Sequence, residues 1–258
     1  MRLGFLGTVD EIPAVLRSVG FAVRVLSAAQ VTQAETRSLD LLIVAGWGEV
    51  LPEAVFAAPR LGTWNVHPSL LPSHRGADPL RWAFLEGDER FGVSIHQMVR
   101  PVDAGPVLWS TSLERTPLDT HTRMIRTLMA LAACALPSLL QKPAEAPTSV
   151  AAPSIAPRSR VPLALQRLDP ALDALTLQRR IAAFDDRAPS MLLRGRAIAF
   201  TQSVCIDARG ESASPGCIFG VEGSRIAFHT SHGALLAIAN DANHGARIGD
   251  VLTAKEGA

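Results

Sequence analysis

The sequence predicts an α/β protein, with a mostly parallel sheet covered by helices on both faces and a small, mostly β domain after it. Residues 3–6 and 39–45 contain Asp40 as their only charged residue and are otherwise apolar or glycine, which is typical of strands buried on both faces of a parallel sheet. A helical pattern separates them at about residues 11–19. Beyond residue 163, a helical pattern leads into short strand patterns separated by glycines.

The first predicted strand, residues 3–6, turns at Gly7 and Thr8 into the first helix. Gly4 and Gly7 lack the third glycine of the dinucleotide-binding fingerprint, so that kind of site is only weakly indicated. Helix N-termini favour anionic or hydroxylated groups. Gly7 and Thr8 are therefore candidate substrate-binding residues, and a plain strand-to-helix connection is the alternative.

Residues 21–27 and 39–45 are the second and third predicted strands, and the third ends in a loop that contains Trp47 between two glycines. Open α/β sheets bind ligands outside the carboxyl ends of their strands. Trp47 is therefore a candidate wall for a flat heterocycle, with packing on the edge of the domain as the alternative.

The next strand, residues 63–67, carries Asn65 and His67 two positions apart, so both side chains point to one face. An amide and an imidazole placed side by side can stabilise an oxyanion or transfer a proton. For an isolated pair of this kind, satisfaction of neighbouring backbone groups is the more common role. A helix follows from about Pro79.

Residues 91–99 alternate in the manner of a strand, and residues 107–112 return antiparallel to it. Asp103 lies between them, before a small-Gly-Pro turn, and could serve only to form that turn. His96 lies on the preceding strand, which makes Asp103 a candidate functional carboxylate facing the same cleft as Asn65 and His67.

The second half begins with a long helical pattern over residues 118–140 and a Pro/Ala-rich linker. We therefore predict an N-terminal domain (1–140), a linker (141–162) and a C-terminal domain (163–258). The C-terminal domain is expected to hold one helix and five short strands, for which an OB-like barrel is one candidate: helix 171–184 and strands 191–193, 197–205, 217–220, 225–229 and 234–239.

Composition narrows the class of protein further. The net charge is +1 and no dense basic run is present, which argues against a surface built mainly to neutralise phosphates, although a modest basic cleft remains compatible with it. Cys134, Cys205 and Cys217 have no zinc-type spacing and are interpreted as buried or incidental thiols in a reducing compartment. The N-terminus is a strand pattern, and no apolar run reaches the roughly 20 residues of a membrane span. We expect a cytoplasmic protein with no membrane partner.

Several motifs together resemble the folate-dependent formyltransferases, a superfamily that includes methionyl-tRNA formyltransferase and the sugar N-formyltransferases. They are the run Asn-Val-His-Pro-Ser-Leu-Leu-Pro at 65–72, Arg-Gly at 75–76, Gly-Val-Ser-Ile-His at 92–96 and Asp103-x-Gly105. The resemblance is strongest over 39–108. It implies a Rossmann-like formyltransferase fold and extends loosely to the opening residues and the C-terminal domain.

The resemblance implies an enzyme of the one-carbon transferase class that uses 10-formyltetrahydrofolate as co-substrate and needs no metal. An amine attacks the formyl carbon and produces a tetrahedral oxyanion. By similarity, Asn65 holds that oxygen, His67 stabilises it or moves a proton, and Asp103 orients a water or takes part in proton transfer. A carboxylate–imidazole pair suits a reaction in which an amine loses a proton and a folate nitrogen gains one.

The resemblance also implies a folate pocket and a set of substrate contacts. Ser69 and Arg75 match the motif and are equally well placed to touch substrate or to brace their loop. The implied pocket residues are Trp47, Gly48, Val50, Leu51, His96, Val99 and Val102.

The short segment between the second and third predicted strands indicates which class of molecule accepts the formyl group. Residues 28–38 contain one cation and one anion, where methionyl-tRNA formyltransferases carry a long basic loop. We therefore expect a small-molecule amine of specialised metabolism, such as an amino sugar nucleotide, an amino acid or a carrier-bound aminoacyl group, and we consider tRNA an unlikely partner. The alternatives are a methionyl-tRNA formyltransferase and a folate-pocket binding or regulatory protein without turnover. A homodimer is compatible with all three.

Overall fold

A computed structural model describes residues 1–141, 156–207 and 214–254. The chain divides into two compact units, which we describe separately. The sheet unit comprises Met1–Leu80, Arg90–Glu114 and Ile125–Arg160, and the barrel unit comprises Arg81–Glu89, Arg115–Met124 and Val161–Ala258. The domain boundaries expected from sequence stay predictions, and residues 142–155 of the expected linker lie outside the described residues.

The sheet unit is built on six strands in the order β2-β1-β3-β4-β5-β6. The first four strands are parallel, β5 runs antiparallel to β4, and β6 reverses again. The predicted mostly parallel sheet is therefore confirmed, with β5 as the reversed strand. The strands are β1 Leu3–Gly7, β2 Val23–Leu26, β3 Leu41–Ala45, β4 Thr63–His67, β5 Arg90–Gln97 and β6 Val107–Glu114.

All five residues of β3 are buried, as expected for a continuous apolar strand covered on both faces. Two short helices were not predicted, because four or five residues are too few to show helical periodicity. The first of them is capped by Thr32, whose hydroxyl accepts the Glu35 N–H. The helices of this half of the chain are α1 Glu11–Ser18, α2 Gln33–Arg37, α3 Glu53–Phe56, α4 Pro79–Glu86 and α5 His121–Gln141.

Helix α5 is long and apolar enough to cross a membrane by length and composition, although a third of its most apolar 18-residue window is buried. No membrane-spanning segment was predicted from the sequence. Its buried side chains are single residues or adjacent pairs that lie three or four positions apart, as in a helix that packs one face on a core: Met124, Leu128, Met129, Ala132, Ala133 and Leu136. A single helix of this kind is weak evidence for a membrane span, because core helices pass the same test.

The barrel unit holds α6 Ala174–Ala183 and a second six-stranded sheet in the order β12-β7-β8-β11-β10-β9, with antiparallel neighbours throughout. The helix begins at Asp173, whose carboxylate accepts the Thr176 N–H. The strands are β7 Ser190–Leu193, β8 Arg196–Ile206, β9 Ile218–Glu222, β10 Arg225–His229, β11 Ala234–Ala239 and β12 Leu252–Thr253.

The two edges of this second sheet meet. Cys217 and Val251 form an antiparallel bridge, and the Leu252 N–H donates to the Gly216 carbonyl. The interior is filled by apolar side chains that include Phe200, Phe228 and Leu235. The sheet is therefore curled into an OB-like barrel, which confirms the predicted fold of the C-terminal domain.

The three cysteines are all free thiols. Cys134 and Cys205 are exposed and Cys217 is half-buried, so of the two predicted alternatives, buried or incidental thiols, the buried one is wrong. The Cys205 thiol donates to the Gln178 side chain on α6.

Candidate active site

Three elements of the sheet unit bring the candidate residues together. Strand β4 presents Asn65 and His67, and the antiparallel register of β5 places His96 opposite Asn65. Asp103 lies in the turn between β5 and β6 with a left-handed backbone, at φ 50°. The cluster therefore depends on the point where the parallel sheet reverses direction.

The four side chains form one connected polar group. The Asn65 Nδ2 atom is 3.2 Å from His96 Nε2 and 3.4 Å from Asp103 Oδ1. On the other side of the carboxylate, Asp103 Oδ2 is 3.7 Å from His67 Nδ1. His67 and His96 are almost entirely buried, so these contacts are shielded from bulk water.

Asp103 is held in its charged form. Burial alone would raise the pKa of this carboxyl, but His67, His96 and the Gly76 N–H together hold the pKa of Asp103 well below its usual range. The Gly76 N–H donates to Asp103 Oδ2 at 2.9 Å. A fixed negative charge therefore lies beside both imidazoles at neutral pH.

His67 is held neutral. Burial lowers the pKa of His67, and this outweighs the opposite influence of Asp103 and of the His74 carbonyl. The ring Nε2 is 3.0 Å from the His74 carbonyl oxygen, which can only accept, so Nε2 carries the proton. Nδ1 is then the basic atom, and it faces Asp103. A proton taken up at Nδ1 would be stabilised by that carboxylate.

The second histidine lies between three polar groups. His96 Nδ1 is 3.1 Å from the Gln97 carbonyl oxygen, and His96 Nε2 is 3.2 Å from the Asn65 amide nitrogen and 3.4 Å from Asp103 Oδ1. The Asn65 amide nitrogen is thus in contact with both His96 and Asp103. To hold an oxyanion as predicted, Asn65 must exchange one of these contacts for the substrate oxygen.

Ser69 and Arg75, which the motif suggested for substrate binding, make bracing contacts inside the protein. The Ser69 hydroxyl donates to the Ser73 carbonyl at 2.7 Å. The buried Arg75 guanidinium donates through Nε and Nη2 to the Val102 carbonyl, with Nε at 3.0 Å. Arg75 thereby fixes the residue that precedes Asp103, and substrate contact by either side chain stays a prediction.

The predicted folate-pocket residues other than His96, which belongs to the buried cluster, differ in exposure. Leu51 is buried and Trp47 packs against the same apolar cluster, which agrees with the alternative in which Trp47 packs on the domain. Val50, Val102 and Gly48 are exposed, Val50 to 80%, and Val99 is half-buried. The exposed group is accessible to a ligand, and contact with folate stays a prediction for all of these residues.

The turn at Gly7 and Thr8 is tied to the loop that follows β3. The Thr8 N–H donates to the Ala45 carbonyl at 3.1 Å, and its hydroxyl donates to the Gly46 carbonyl. A Cβ on Gly7 would lie 1.7 Å from the Ala45 oxygen, so only glycine permits this approach. The Thr8 N–H is therefore already used within the protein.

Two backbone groups that shape the cluster were missed by sequence reasoning. The His74 carbonyl fixes the tautomer of His67, and the Gly76 N–H supports Asp103. His74 has φ 52° and Gly76 has φ 95°, both left-handed. The Arg-Gly pair after the motif was the available signal, because glycine marks a position of positive φ.

A separate group in the barrel unit has the composition of a metal site. Ligand atoms of His121, Asp185 and Asp186 lie within 4.8 Å of one another. Arg81 already forms an ion pair with Asp186 at 2.6 Å, and the Thr122 N–H donates to Asp185. These contacts account for both carboxylates.

Comparisons with known proteins identify the family. A family model described as formyl transferase matches residues 17–140. Over 183 residues the chain is 31% identical to a methionyl-tRNA formyltransferase of Thermotoga maritima. The aligned region covers 69% of this chain and 58% of that relative. The chain belongs to the formyltransferase superfamily. It spans a little under 60% of the length of the relative.

Solved structures show the same fold for this formyltransferase-family chain. HypX from Aquifex aeolicus, in complex with tetrahydrofolic acid, matches with a TM-score of 0.66 at 19% identity, covering 92% of this chain and 43% of HypX. An N-formyltransferase from Helicobacter canadensis, in complex with folinic acid and dTDP-3-aminofucose, matches at 0.67 and 13% identity, covering 92% and 98%.

Proposed function

We propose that this protein is a folate-dependent N-formyltransferase that moves a formyl group from 10-formyltetrahydrofolate to the amine of a small metabolite. The observation that carries the proposal is the cluster of Asn65, His67 and Asp103, in which a neutral, tautomer-fixed imidazole faces a charged carboxylate. The relatives support it, since the Aquifex protein binds tetrahydrofolic acid and the Helicobacter enzyme binds folinic acid.

In the first step the amine nitrogen attacks the formyl carbon. A new C–N bond forms and the carbonyl electron pair moves to oxygen, where the Asn65 amide donates to it. The ammonium that results gives its proton to His67 Nδ1, directly or through one water, and Asp103 stabilises the imidazolium. The intermediate then collapses, the bond to the folate N10 breaks, and that nitrogen takes up the proton.

The charge distribution supports a small acceptor. Residues 28–38 contain only Arg37 and Glu35 as charged groups. The barrel unit carries 13 Arg and Lys residues against 14 Asp and Glu residues. A protein that grips a polyanion gains most of its affinity from clustered cations, and neither region has such an excess. An amino sugar nucleotide, an amino acid or a carrier-bound aminoacyl group remains within the proposal.

Initiator methionyl-tRNA is the second candidate acceptor. It is favoured by the 31% identity to a methionyl-tRNA formyltransferase over 183 residues. The two acceptors differ in charge, so they differ in salt dependence. Binding of the tRNA should fall steeply with ionic strength, and binding of a small amine should not.

The test is an acceptor panel. The purified chain is incubated with 10-formyltetrahydrofolate and amino sugar nucleotides, amino acids, carrier-bound aminoacyl groups or initiator methionyl-tRNA, and products are identified by mass. We expect one small amine to gain a formyl group. Formylation of the tRNA alone would replace the first proposal with the second. Folate binding in calorimetry with no product from any amine would instead support a binding protein without turnover.

A further inference from the structure

A short segment near the end of the predicted linker lies along the candidate active site. We call residues 156–160 the strap; all of it belongs to the sheet unit. Arg158 pairs with Gly76 in a parallel bridge, with its N–H donating to the Arg75 carbonyl at 2.8 Å and its carbonyl accepting the Ala77 N–H at 3.0 Å. The strap therefore holds both sides of the glycine whose own N–H supports Asp103.

The contact at Gly76 is close enough to require glycine. A Cβ on Gly76 would lie 2.3 Å from the Arg158 carbonyl oxygen and 2.6 Å from its nitrogen. Gly76 has φ 95°, where a side chain is strained as well. The sequence thus provides a specific site at which the strap docks.

The far end of the strap reaches the predicted folate loop. Arg160 Nη2 donates to the Gly48 carbonyl at 2.7 Å, although the side chain is otherwise exposed. Gly46, Gly48 and Val50 are all exposed, so little packing holds these parts of the loop in place. At its start the loop is tied to Thr8, and at Gly48 it is tied to Arg160.

We propose that Arg160 is a positioning residue that clamps the loop of residues 46–50 at the mouth of the folate site. Arg160 acts through the Gly48 carbonyl, and the backbone of Arg158 keeps the turn at Gly76 in place beside Asp103. The positions of the loop and of the Asp103 turn therefore both depend on the strap, which is distant from them in sequence. The consequence for folate rests on the proposed function, whereas the clamp itself does not.

The clamp predicts a selective kinetic effect. The Arg160 bond orders the loop before and during the reaction, so its loss weakens folate binding without removing any group from the reacting atoms. For Arg160→Ala we expect the KM for 10-formyltetrahydrofolate to rise about three- to tenfold, as for loss of one hydrogen bond, with kcat little changed. Arg160→Lys retains a donor and should recover part of the loss.

The experiment combines hydrogen exchange with folate binding. Exchange at residues 46–50 is compared in the full chain, Arg160→Ala, Arg160→Lys and the control Arg37→Ala, which removes an exposed cation on α2. Binding is measured by calorimetry with 5-formyltetrahydrofolate. For Arg160→Ala we expect faster exchange in the loop and a three- to tenfold increase in the Kd for the folate. Arg160→Lys should show a smaller effect of the same kind, and Arg37→Ala should behave as the wild type.

The two readouts separate the clamp from the proposed function. Unchanged exchange at residues 46–50 in Arg160→Ala would overturn the clamp. Faster exchange with unchanged folate affinity would overturn its role in the folate site. A wild-type chain that does not bind the folate would overturn the proposed function, and exchange would still decide whether the clamp exists.

Discussion

At the scale of single residues, the site works through complementary protonation. Asp103 stays charged because two imidazoles and the Gly76 N–H outweigh its burial, and His67 stays neutral because burial outweighs its charged neighbour. A base and the charge that stabilises its protonated form are thus both present at neutral pH. The His74 carbonyl decides which ring nitrogen acts as the base.

Asp103→Asn should lower kcat by about 100-fold or more, since the imidazolium formed in the reaction would lose its counter-charge. The amide is nearly isosteric, so circular dichroism and thermal unfolding should show a folded protein. Turnover close to wild type in the folded variant would refute the proposed role of Asp103.

The pH dependence of kcat/KM follows from the sign of the His67 shift. A lowered pKa means that the neutral base persists to more acidic pH than an ordinary histidine, whose pKa is near 6.5. Activity should therefore be sustained below 6.5 and fall only when His67 becomes protonated. Rates measured between about pH 5 and pH 8 test this. An acid limb centred above 6.5 would contradict the assignment.

At the scale of elements, the cluster depends on the β5–β6 turn. A Cβ on Gly105 would lie 1.7 Å from the Gln97 carbonyl oxygen, so the turn closes against the end of β5 only with glycine at this position. The same turn carries Asp103 in its left-handed conformation. The close packing of this turn at Gly105 therefore also determines the position of the Asp103 carboxylate.

Gly105→Ala should destabilise the protein by about 1–3 kcal/mol, the usual cost of forcing extra volume into a packed site, and should reduce activity by moving Asp103. Gly220→Ala is the matched control, because Gly220 also lacks a left-handed φ and a Cβ there would meet only the Ala227 Cβ, at 3.2 Å. Urea unfolding of both variants gives the comparison. Equal losses of stability would contradict the steric argument.

The elements that the sequence predicted are those with strong patterns. Strand β4 was placed at its observed bounds, because its apolar neighbours and the motif mark both ends. The four polar residues of the cluster were also identified from the motif and the strand faces. The tautomer of His67 was not, because it depends on the backbone carbonyl of His74. The strap was not predicted either, because its contact with Gly76 joins residues about 80 positions apart.

At the scale of the whole molecule, charge separates the two acceptor classes. The chain has a net charge of +1, and the barrel unit has no excess of cations. We therefore expect weak binding of initiator tRNA, with a shallow dependence on salt. Titration at several ionic strengths measures the slope of the logarithm of the binding constant against the logarithm of the salt concentration. For a protein that neutralises a nucleic acid, the magnitude of this slope approaches one per phosphate contact. Tight binding with a steep slope would favour the tRNA acceptor.

The central claim is that Asn65, His67 and Asp103 transfer a formyl group from folate to a small amine. The most direct measurement follows tetrahydrofolate release and formylated product in the same reaction, for the wild type and for folded Asn65→Ala, His67→Ala and Asp103→Asn variants. The account predicts equimolar release and product in the wild type, and loss of both in each variant. Equal product formation by the wild type and the variants would contradict it.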